Sequence, residues 1–391
     1  MALDEKLRRT WSEIDLDALL HNYRVLRKRI GEGCAFLGVV KADAYGHGAI
    51  KVSQTLENAG ADYLAVSSMD EAEELRKNGI SMPILILGHT PKEQVRKLIE
   101  YNITQAVTCE AKALEYSDEA VGLGKTLKIH IKVDTGMSRL GYLCDGDYFE
   151  HGVEGIFRAV TLPGLEAEGI FTHFAVSDEP GESCEAYTRH QFELFTSVIR
   201  AVEGKWGRSF RLRHCANTGA VARYPETYLD MVRPGLLLYG YGEFAAELGL
   251  RPVMTLKTTV STIKIYPAGT KISYGGIFET EKTTRIGVCP YGYADGFFRS
   301  LSNRASLMTS EGPAPVRGKI CMDMCMLDLT DKPGVGVGSE ITVFGPENPI
   351  EGLAELAGTI PYELTCAVSK RVPRKYWKDG KIIGEELLLR F

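Results

Sequence analysis

The sequence lacks the features that mark membrane, secreted and nucleic-acid-binding proteins. No apolar run approaches the roughly 20 residues that a membrane helix needs. The segment from Met1 to Lys6 is charged from its fourth residue and has no apolar core of a signal peptide. With a net charge of −5 and no Lys/Arg block interleaved with aromatic residues, we expect no nucleic-acid or membrane partner and a cytoplasmic location.

Cysteine pairs of the CxxC type are also missing. The nine cysteines are scattered through apolar segments, which is typical of reduced thiols. Cys321 and Cys325 are four residues apart in a predicted strand and would face the same way. Two thiols without nearby histidines make a poor metal site, so we expect core packing there and no metal.

The sequence has enough residues and apolar content for two globular domains. It is 391 residues long, 44% hydrophobic and 25% charged. Between residues 12 and 245, apolar strands alternate with amphipathic helices, which implies parallel strands joined by right-handed crossovers. The eight predicted strands are Phe36–Lys41, Tyr63–Ser67, Pro83–Leu87, Thr104–Thr108, Leu127–Val133, Glu166–Phe174, Arg211–Cys215 and Met231–Tyr239.

Eight such units in about 200 residues predict an α/β fold, a closed (β/α)8 TIM barrel over residues 12–245. A doubly wound open sheet is the alternative, which the lack of GxGxxG after the first strand disfavours. Residues 246–391 predict a second, mostly β domain, which we expect the N-terminal segment 1–11 to join. Its predicted segments are Thr255–Tyr266, Thr283–Tyr293, Pro315–Leu329 and Glu340–Phe344, followed by a helix over Ile350–Gly358.

Lys41 ends the first predicted barrel strand and precedes a glycine-rich corner. Desolvation there would favour the neutral amine, which attacks carbonyl groups and forms Schiff bases. Taken alone, Lys41 is equally well explained as a surface lysine just past a strand.

Barrel enzymes carry their chemistry at the carboxyl ends of the strands. Five of the eight predicted strands end there in polar or titratable groups, which purely structural needs would not explain. These groups are Lys41 with Tyr45, Lys132 to Arg139, Thr172 to Phe174, His214 to Gly219, and Arg233 to Gly235.

Two neighbouring corners suit a phosphate group. Asn217-Thr218-Gly219 opens a helix directly after a strand, and free backbone amides at a helix start bind anions. Arg233-Pro234-Gly235 with Leu236 offers a second glycine corner at the usual phosphate position of a barrel. A Schiff-base lysine and a phosphate site together point to pyridoxal 5'-phosphate.

The sequence resembles a known family along its whole length. The segment Lys41-Ala42-Asp43-Ala44-Tyr45-Gly46-His47-Gly48 is similar to the signature of the alanine racemase family, whose enzymes use pyridoxal phosphate on a barrel plus a β domain. Further similar motifs are Val133-Asp134-Thr135-Gly136-Met137, Arg233-Pro234-Gly235, Ser273-Tyr274-Gly275, Gly292-Tyr293-Ala294-Asp295-Gly296, Cys321-Met322-Asp323 and Pro361-Tyr362-Glu363.

The resemblance implies two catalytic bases on opposite faces of the substrate, Lys41 and Tyr274. Lys41 would also hold the cofactor through a Schiff base. A phenol gives up its proton reluctantly at neutral pH, and Arg139 is the family's candidate for assisting Tyr274 and for binding the substrate carboxylate. Lys132 would carry a carboxyl group derived from CO2 (N6-carboxylysine) and orient Arg139.

The resemblance also implies how the cofactor is held. Arg233 would face the pyridine nitrogen and leave it unprotonated, because a guanidinium keeps its proton. That favours proton exchange over transamination or elimination. The remaining implied cofactor-binding residues are His173, His214, Tyr45, Asn217, Thr218, Gly235, Leu236 and Tyr362.

In the family, Met322 and Tyr274 come from the partner subunit, so the resemblance implies a homodimer with shared active sites. It implies racemisation of alanine and supply of D-alanine for peptidoglycan. A serine or broad-specificity racemase is the alternative, which Tyr362 disfavours. A decarboxylase would need a carboxylate where Arg233 stands, and a pyridoxal-phosphate carrier would need only the barrel.

Overall fold

The computed structural model describes residues 9–387, in which strands and helices alternate over the first 240 residues. Their bounds are β1 Thr10–Asp15, α1 Leu16–Ile30, β2 Ala35–Val39, α2 Lys41–Gly46, α3 Ala49–Ala59, β3 Tyr63–Val66, α4 Met69–Lys77, β4 Ile84–Ile86, α5 Val95–Glu100, β5 Ile103–Val107, α6 Glu110–Gly122, β6 Leu127–Asp134, β7 Tyr142–Leu143, α7 Phe149–Thr161, β8 Leu165–Phe171, α8 Glu182–Trp206, β9 Leu212–His214, α9 Thr218–Arg223 and β10 Met231–Val232.

Strands dominate the rest of the described chain. Their bounds, with three helices, are α10 Glu243–Glu247, β11 Met254–Thr259, β12 Thr262–Tyr266, β13 Lys271–Ile272, β14 Phe278–Glu279, β15 Thr284–Cys289, β16 Ser306–Thr309, β17 Gly312–Pro315, β18 Cys325–Asp328, β19 Glu340–Phe344, α11 Ile350–Ala357, α12 Pro361–Cys366, β20 Arg374–Lys378 and β21 Lys381–Glu386. The change from alternation to strands occurs near the predicted position.

The first of two structural units comprises Tyr23–Ala44 and Ala49–Leu238. Its eight main strands pair in parallel in the order β10-β2-β3-β4-β5-β6-β8-β9. The ring nearly closes between β9 and β10, where Asp230 N donates to Arg213 O over 3.0 Å and Arg233 N donates to Ala216 O over 2.9 Å. The predicted (β/α)8 barrel is thereby confirmed.

Short apolar sequences form these strands because both of their faces are covered. Every residue of β3, β4 and β5 is buried. The surrounding helices are amphipathic, and in α7 the buried residues recur every three or four positions, at Gly152, Val153, Gly155, Ile156, Ala159 and Val160.

The second unit contains the remaining described residues and is mostly β, as predicted. A seven-stranded sheet runs in the order β17-β16-β19-β11-β1-β20-β21, and β12-β15-β18 form a smaller antiparallel sheet. In β11 the buried residues Met254, Leu256 and Thr258 alternate with half-buried ones, which is the pattern of an antiparallel strand with one covered face.

Two predicted segments of this unit are interrupted. Thr255–Tyr266 divides into β11 and β12, which belong to different sheets. The segment Pro315–Leu329 leaves the seven-stranded sheet after β17 and enters the smaller sheet at β18, and the intervening loop is closed by a hydrogen bond from Cys321 N to Met324 O (2.9 Å). Cys321 therefore lies in the loop and Cys325 in a strand. The expectation that the two thiols share one strand face was wrong.

The domain boundaries at 12–245 and 246–391 stay predictions. The structure places β1 in the seven-stranded sheet, antiparallel to β11 and parallel to β20. The predicted joining of segment 1–11 to the β domain falls partly on residues 1–8, which lie outside the described residues. None of the helices within 9–387 combines the length and apolar composition that crossing a bilayer requires.

Candidate active site

Lys41 lies two residues past the last residue of β2, and the helical turn α2 that it opens is left-handed. Ala42, Asp43, Ala44 and Tyr45 all have φ between +52° and +55°. This conformation costs roughly 1–2 kcal/mol per residue for L-amino acids. Backbone strain of this kind persists where surrounding contacts enforce it, and it is concentrated at functional sites.

Carboxylates hold the left-handed turn in place. Glu71 Oε1 accepts a hydrogen bond from Ala42 N (2.7 Å) and its Oε2 accepts one from Ser67 N (2.6 Å). Asp43 Oδ1 accepts a bond from Ala49 N at the start of α3 (2.8 Å). The half-buried Lys41 is therefore presented by a rigid piece of backbone at the carboxyl end of β2.

The barrel brings Arg233 and the two predicted histidines together. Arg233 Nη1 donates to His214 Nδ1 over 2.9 Å, and Nη2 donates to Thr172 O over 2.7 Å and approaches His173 Nδ1 at 3.5 Å. Arg233 is almost fully buried. Burial lowers its pKa to about 10, which still leaves it charged at neutral pH.

Positive charge is concentrated on this rim. Burial, followed by the charges of Arg233, Lys132, Arg139 and Lys41, lowers the pKa of His173 well below its ordinary value. Such a rim attracts anions such as phosphate or carboxylate groups. Arg139 is exposed, and its loop is fixed by the Asp134 carboxylate, which accepts bonds from the amides of Ser138 and Arg139, both at 3.0 Å.

Lys132 is a buried amine without a hydrogen-bond acceptor among residues 9–387. Its Nζ lies 4.8 Å from the ring centre of Phe171. Burial and then the charge of Arg233 lower the pKa of Lys132 well below its ordinary value. A buried ammonium near Arg233 and Arg139 is unfavourable, because burial and like charges both disfavour the protonated form. The site therefore favours a neutral amine, or a modified side chain that carries no positive charge.

The predicted phosphate corner is built from interlocking polar groups. Asn217 caps α9 by accepting a bond from Ala220 N (3.2 Å), and Ser177 Oγ donates to the same Asn217 oxygen (2.6 Å). Thr218 Oγ1 accepts a bond from Gly235 N (2.9 Å), which joins the two predicted corners. Leu236 then begins a short 3₁₀ turn.

A pyridoxal phosphate fits these residues. A Cβ added to Gly219 would lie 2.6 Å from Asp178 N, so this corner needs glycine for its tight backbone packing. Arg233 makes no ion pair with a carboxylate of the described residues, so its unneutralised charge suits an anionic or unprotonated heterocyclic ligand.

Four predicted site residues belong to the second unit. Tyr45 packs against Tyr239 and Tyr362, with ring centres 5.2 and 5.3 Å apart, and burial raises the pKa of Tyr45. Tyr274 and Met322 have 69% and 53% of their surface exposed.

The segments that carry Tyr274 and Met322 are neighbours. Ser273 Oγ donates to Lys319 O (2.6 Å) and lies 3.5 Å from Cys321 Sγ. Ser273 itself has a positive φ of 64°, a strained conformation for a residue directly before the tyrosine.

Sequence reasoning placed Thr172 at a strand end but missed other residues that support Arg233. Phe171 stacks on His214 with ring centres 4.8 Å apart, and Thr172 contributes a carbonyl oxygen. Behind His214 lie His130, Glu168 and Tyr63. The polar positions of β6 alternate with apolar ones, at Lys128, His130, Lys132 and Asp134, and this pattern was the available signal for His130.

A cationic rim with a phosphate corner, at the carboxyl end of a (β/α)8 barrel, defines a barrel enzyme for a phosphorylated ligand. The second, mostly β unit distinguishes the chain from proteins that consist of the barrel alone.

The chain belongs to the alanine racemase family, whose enzymes depend on pyridoxal 5'-phosphate. The sequence model of the family's N-terminal domain matches residues 14–243, and the sequence model of its C-terminal domain matches residues 253–376. The alanine racemase of Clostridium tetani is 43% identical over 387 residues, which cover 97% of this chain and 98% of that protein.

Known structures of the family share the fold. The Clostridium difficile alanine racemase aligns with a TM-score of 0.92 and 35% identity over 98% of this chain and all of that one. The Bacillus anthracis alanine racemase with bound L-Ala-P aligns with a TM-score of 0.86 and 33% identity, covering 97% of this chain and 98% of that one.

Proposed function

We propose that this protein interconverts L-alanine and D-alanine on pyridoxal 5'-phosphate, acts in the cytoplasm, and supplies D-alanine for peptidoglycan. The observation that carries the proposal is Arg233, a buried guanidinium fixed by His214 and Thr172 on the barrel rim. The relatives named above are alanine racemases, and no observation favours a serine or broad-specificity enzyme.

The chain's residues divide the work of holding the cofactor. Lys41 would hold it covalently in the absence of substrate, and the corner of Asn217, Thr218, Gly235 and Leu236 would hold its phosphate. His173, His214 and Arg233 would bind its ring. Roles for Tyr45 and Tyr362 at the phosphate follow from the family resemblance and stay predictions.

Arg233 sets the type of reaction. Bound pyridoxal phosphate draws electrons from the α-carbon of an amino acid and so makes the α-hydrogen acidic. Arg233 donates hydrogen bonds but keeps its proton at neutral pH, so it would leave the pyridine nitrogen of the cofactor unprotonated. The weaker electron withdrawal would suffice for proton exchange and disfavour transamination.

Two bases exchange the proton at the α-carbon. Lys41 Nζ removes or returns it on one face, and Tyr274 Oη does so on the other. Arg139 holds the substrate carboxylate, since an exposed guanidinium on a cationic rim binds a carboxylate with two hydrogen bonds.

We propose that Lys132 is converted to N6-carboxylysine. The neutral amine attacks CO2, a C–N bond forms, and one proton leaves the nitrogen, which gives a carbamate anion. The surroundings support this step, because the amine is buried and without an acceptor while Arg233 and Arg139 supply positive charge. The anion would orient Arg139.

We further propose a homodimer in which Tyr274 and Met322 complete the partner's site. The support is their exposure, which leaves both side chains available to another subunit. Met322 would contact the substrate.

The experiment that tests the function replaces Lys41 by alanine. The reconstituted wild type should racemise L-alanine, measured by chiral separation, and should show the visible absorbance of bound cofactor. Lys41→Ala should lose both, whereas Lys125→Ala, which changes an exposed barrel lysine, should retain both. Racemisation by Lys41→Ala without added amine would overturn the proposal.

A further inference from the structure

A line of polar side chains runs through the barrel interior behind Arg233. Barrel interiors are usually filled with branched apolar residues. Here His214 and His130 are completely buried, and Glu168 and Tyr63 are more than nine-tenths buried. We call His214, His130, Glu168 and Tyr63 the polar column. Burying a carboxylate is costly unless it is fully hydrogen-bonded, so this column requires an explanation.

The donor at one end fixes the direction of the hydrogen bonds. Arg233 has only donors, so the bond of 2.9 Å to His214 Nδ1 requires a lone pair on that nitrogen. The neutral ring must then carry its hydrogen on Nε2, which lies 2.9 Å from His130 Nδ1. His130 in turn accepts at Nδ1 and carries its hydrogen on Nε2.

The acceptor at the other end agrees with this direction. Glu168 Oε2 lies 3.4 Å from His130 Nε2 and accepts a second bond from the Tyr63 hydroxyl at 2.6 Å. Glu168 Oε1 lies 3.1 Å from Arg211 Nη2. Burial alone would raise the pKa of Glu168, but the bonds from His130 and Tyr63 lower it to about 2.

Both imidazoles stay neutral in this arrangement. Burial and then the charge of Arg233 lower the pKa of His214, and burial outweighs the opposing effect of Glu168 on His130. One donor-only group and one acceptor-only group thus leave a single arrangement of protons between them. An amide in place of the carboxylate could donate to His130 Nε2. Both histidines would then carry their hydrogen on Nδ1, and the Nδ1–H of His214 would face the N–H of Arg233 instead of accepting from it.

We propose that Glu168 is a positioning residue for Arg233, acting through the tautomers of His130 and His214. This inference rests on the proposed function for its catalytic consequence, since Arg233 faces the cofactor ring only in that scheme. The tautomers themselves do not depend on it. Glu168 touches neither cofactor nor substrate.

The tautomers can be measured directly by NMR on protein labelled with 15N-histidine. In the wild type at pH 7, with and without cofactor, His130 and His214 should both show a protonated Nε2 and an unprotonated Nδ1. Assignment uses the single variants His130→Gln and His214→Gln. An imidazolium, or a protonated Nδ1 on His214, would overturn the proposal, and this arm needs no folded Glu168 variant.

A second arm changes the column at Glu168. Glu168→Gln should move at least one of the two histidines to the other tautomer or leave the pair in exchange. Tyr63→Phe removes one donor but keeps the carboxylate, so it should leave both tautomers unchanged. Unchanged tautomers in Glu168→Gln would contradict the proposal.

The loaded enzyme supplies the catalytic readout. Because small misplacements of positioned groups can lower turnover on the order of 100-fold, Glu168→Gln should lower kcat for alanine on the order of tenfold or more, with KM little changed, and should shift the visible absorbance of the cofactor. Glu110→Gln, an exposed control on the barrel surface, should change neither. A wild type that fails to racemise alanine refutes the proposed function and leaves the tautomer result standing.

Discussion

At the scale of single residues, the site depends on charges placed where burial makes them unfavourable. Lys132 and Arg233 lie on the same rim, and both approach the ring of Phe171, at 4.8 and 5.4 Å. Two cations so close in a buried setting repel each other. The unprotonated form of Lys132 relieves the repulsion, and a carboxylated form would reverse it.

Lys132→Met is therefore expected to stabilise the protein in CO2-free buffer. The folded-state pKa of Lys132 lies below its ordinary value of 10.5. At pH values between the folded-state and the ordinary pKa, the unfolded wild type binds more protons than the folded one. The free energy of unfolding of the wild type therefore rises with pH in this range. The advantage of Lys132→Met in the free energy of unfolding should shrink as the pH approaches about 10.5.

Bicarbonate provides the matching test of the modification. It should raise the thermal stability and activity of the wild type and of Lys128→Met, a control on the same strand, but not of Lys132→Met. A wild type that is indifferent to bicarbonate, with no mass increase of a carboxyl group on Lys132, would contradict the proposed modification.

Tyr274→Phe tests the two-base assignment. The two-base scheme assigns Tyr274 to the α-hydrogen of L-alanine and Lys41 to that of D-alanine. Removing the hydroxyl deletes the first base only, so exchange of the α-hydrogen with solvent deuterium should fall far more for L-alanine than for D-alanine. Proton NMR of each substrate in D2O measures this directly. Tyr266→Phe, which changes a half-buried tyrosine of the same unit, should exchange both substrates normally. Equal losses for the two enantiomers refute the assignment.

At the scale of elements, the left-handed turn after β2 shows what sequence reasoning could and could not supply. The apolar run before Lys41 predicted the strand, and the strand predicted the position of the lysine. Nothing in Ala42-Asp43-Ala44-Tyr45 predicted four consecutive positive φ angles, because L-residues avoid that conformation. The turn depends on distant carboxylates such as Glu71, which local patterns do not reveal.

The same distinction applies to the rest of the candidate site. Strand ends follow from hydrophobic periodicity, so Arg233, His173 and His214 could be placed on one rim. The partners of Arg233 come from strands that are neighbours only in the closed barrel. Glu168 and Tyr63 are 105 residues apart, and no spacing rule joins them.

Ala42→Gly should stabilise the protein by about 0.5–1 kcal/mol, because glycine adopts positive φ without strain. Denaturant unfolding measures the change. Ala186→Gly, at an exposed position inside α8, is the control and should destabilise by about 1 kcal/mol, since glycine weakens a regular helix. A loss of stability in Ala42→Gly equal to that of the control would show that the turn is not strained.

At the scale of the whole molecule, the proposed dimer would connect catalysis to assembly through the exposed Tyr274 and Met322. If each site takes Tyr274 from the partner, two different inactive chains can repair each other. A mixed dimer of Lys41→Ala and Tyr274→Phe chains contains one site with both bases intact. A dimer with sites confined to single chains contains none.

Mixing the two variants under conditions that exchange subunits should therefore restore activity. Random pairing in a closed dimer gives about a quarter of the wild-type sites. Racemisation is measured before and after exchange, and each variant mixed with itself is the control. No recovery, despite mixed dimers seen by native mass spectrometry of tagged chains, would refute shared sites.

Beyond the polar column lies Arg211, which pairs with Glu168 and whose side chain is 70% exposed at the amino-terminal end of the barrel, opposite the site. If Glu168 positions Arg233 as proposed, a residue on the protein surface can influence the guanidinium that binds the cofactor ring. Substitutions at Arg211 would then adjust turnover without altering any residue that contacts alanine. A survey of natural or selected variants that considers only the substrate pocket would overlook this position.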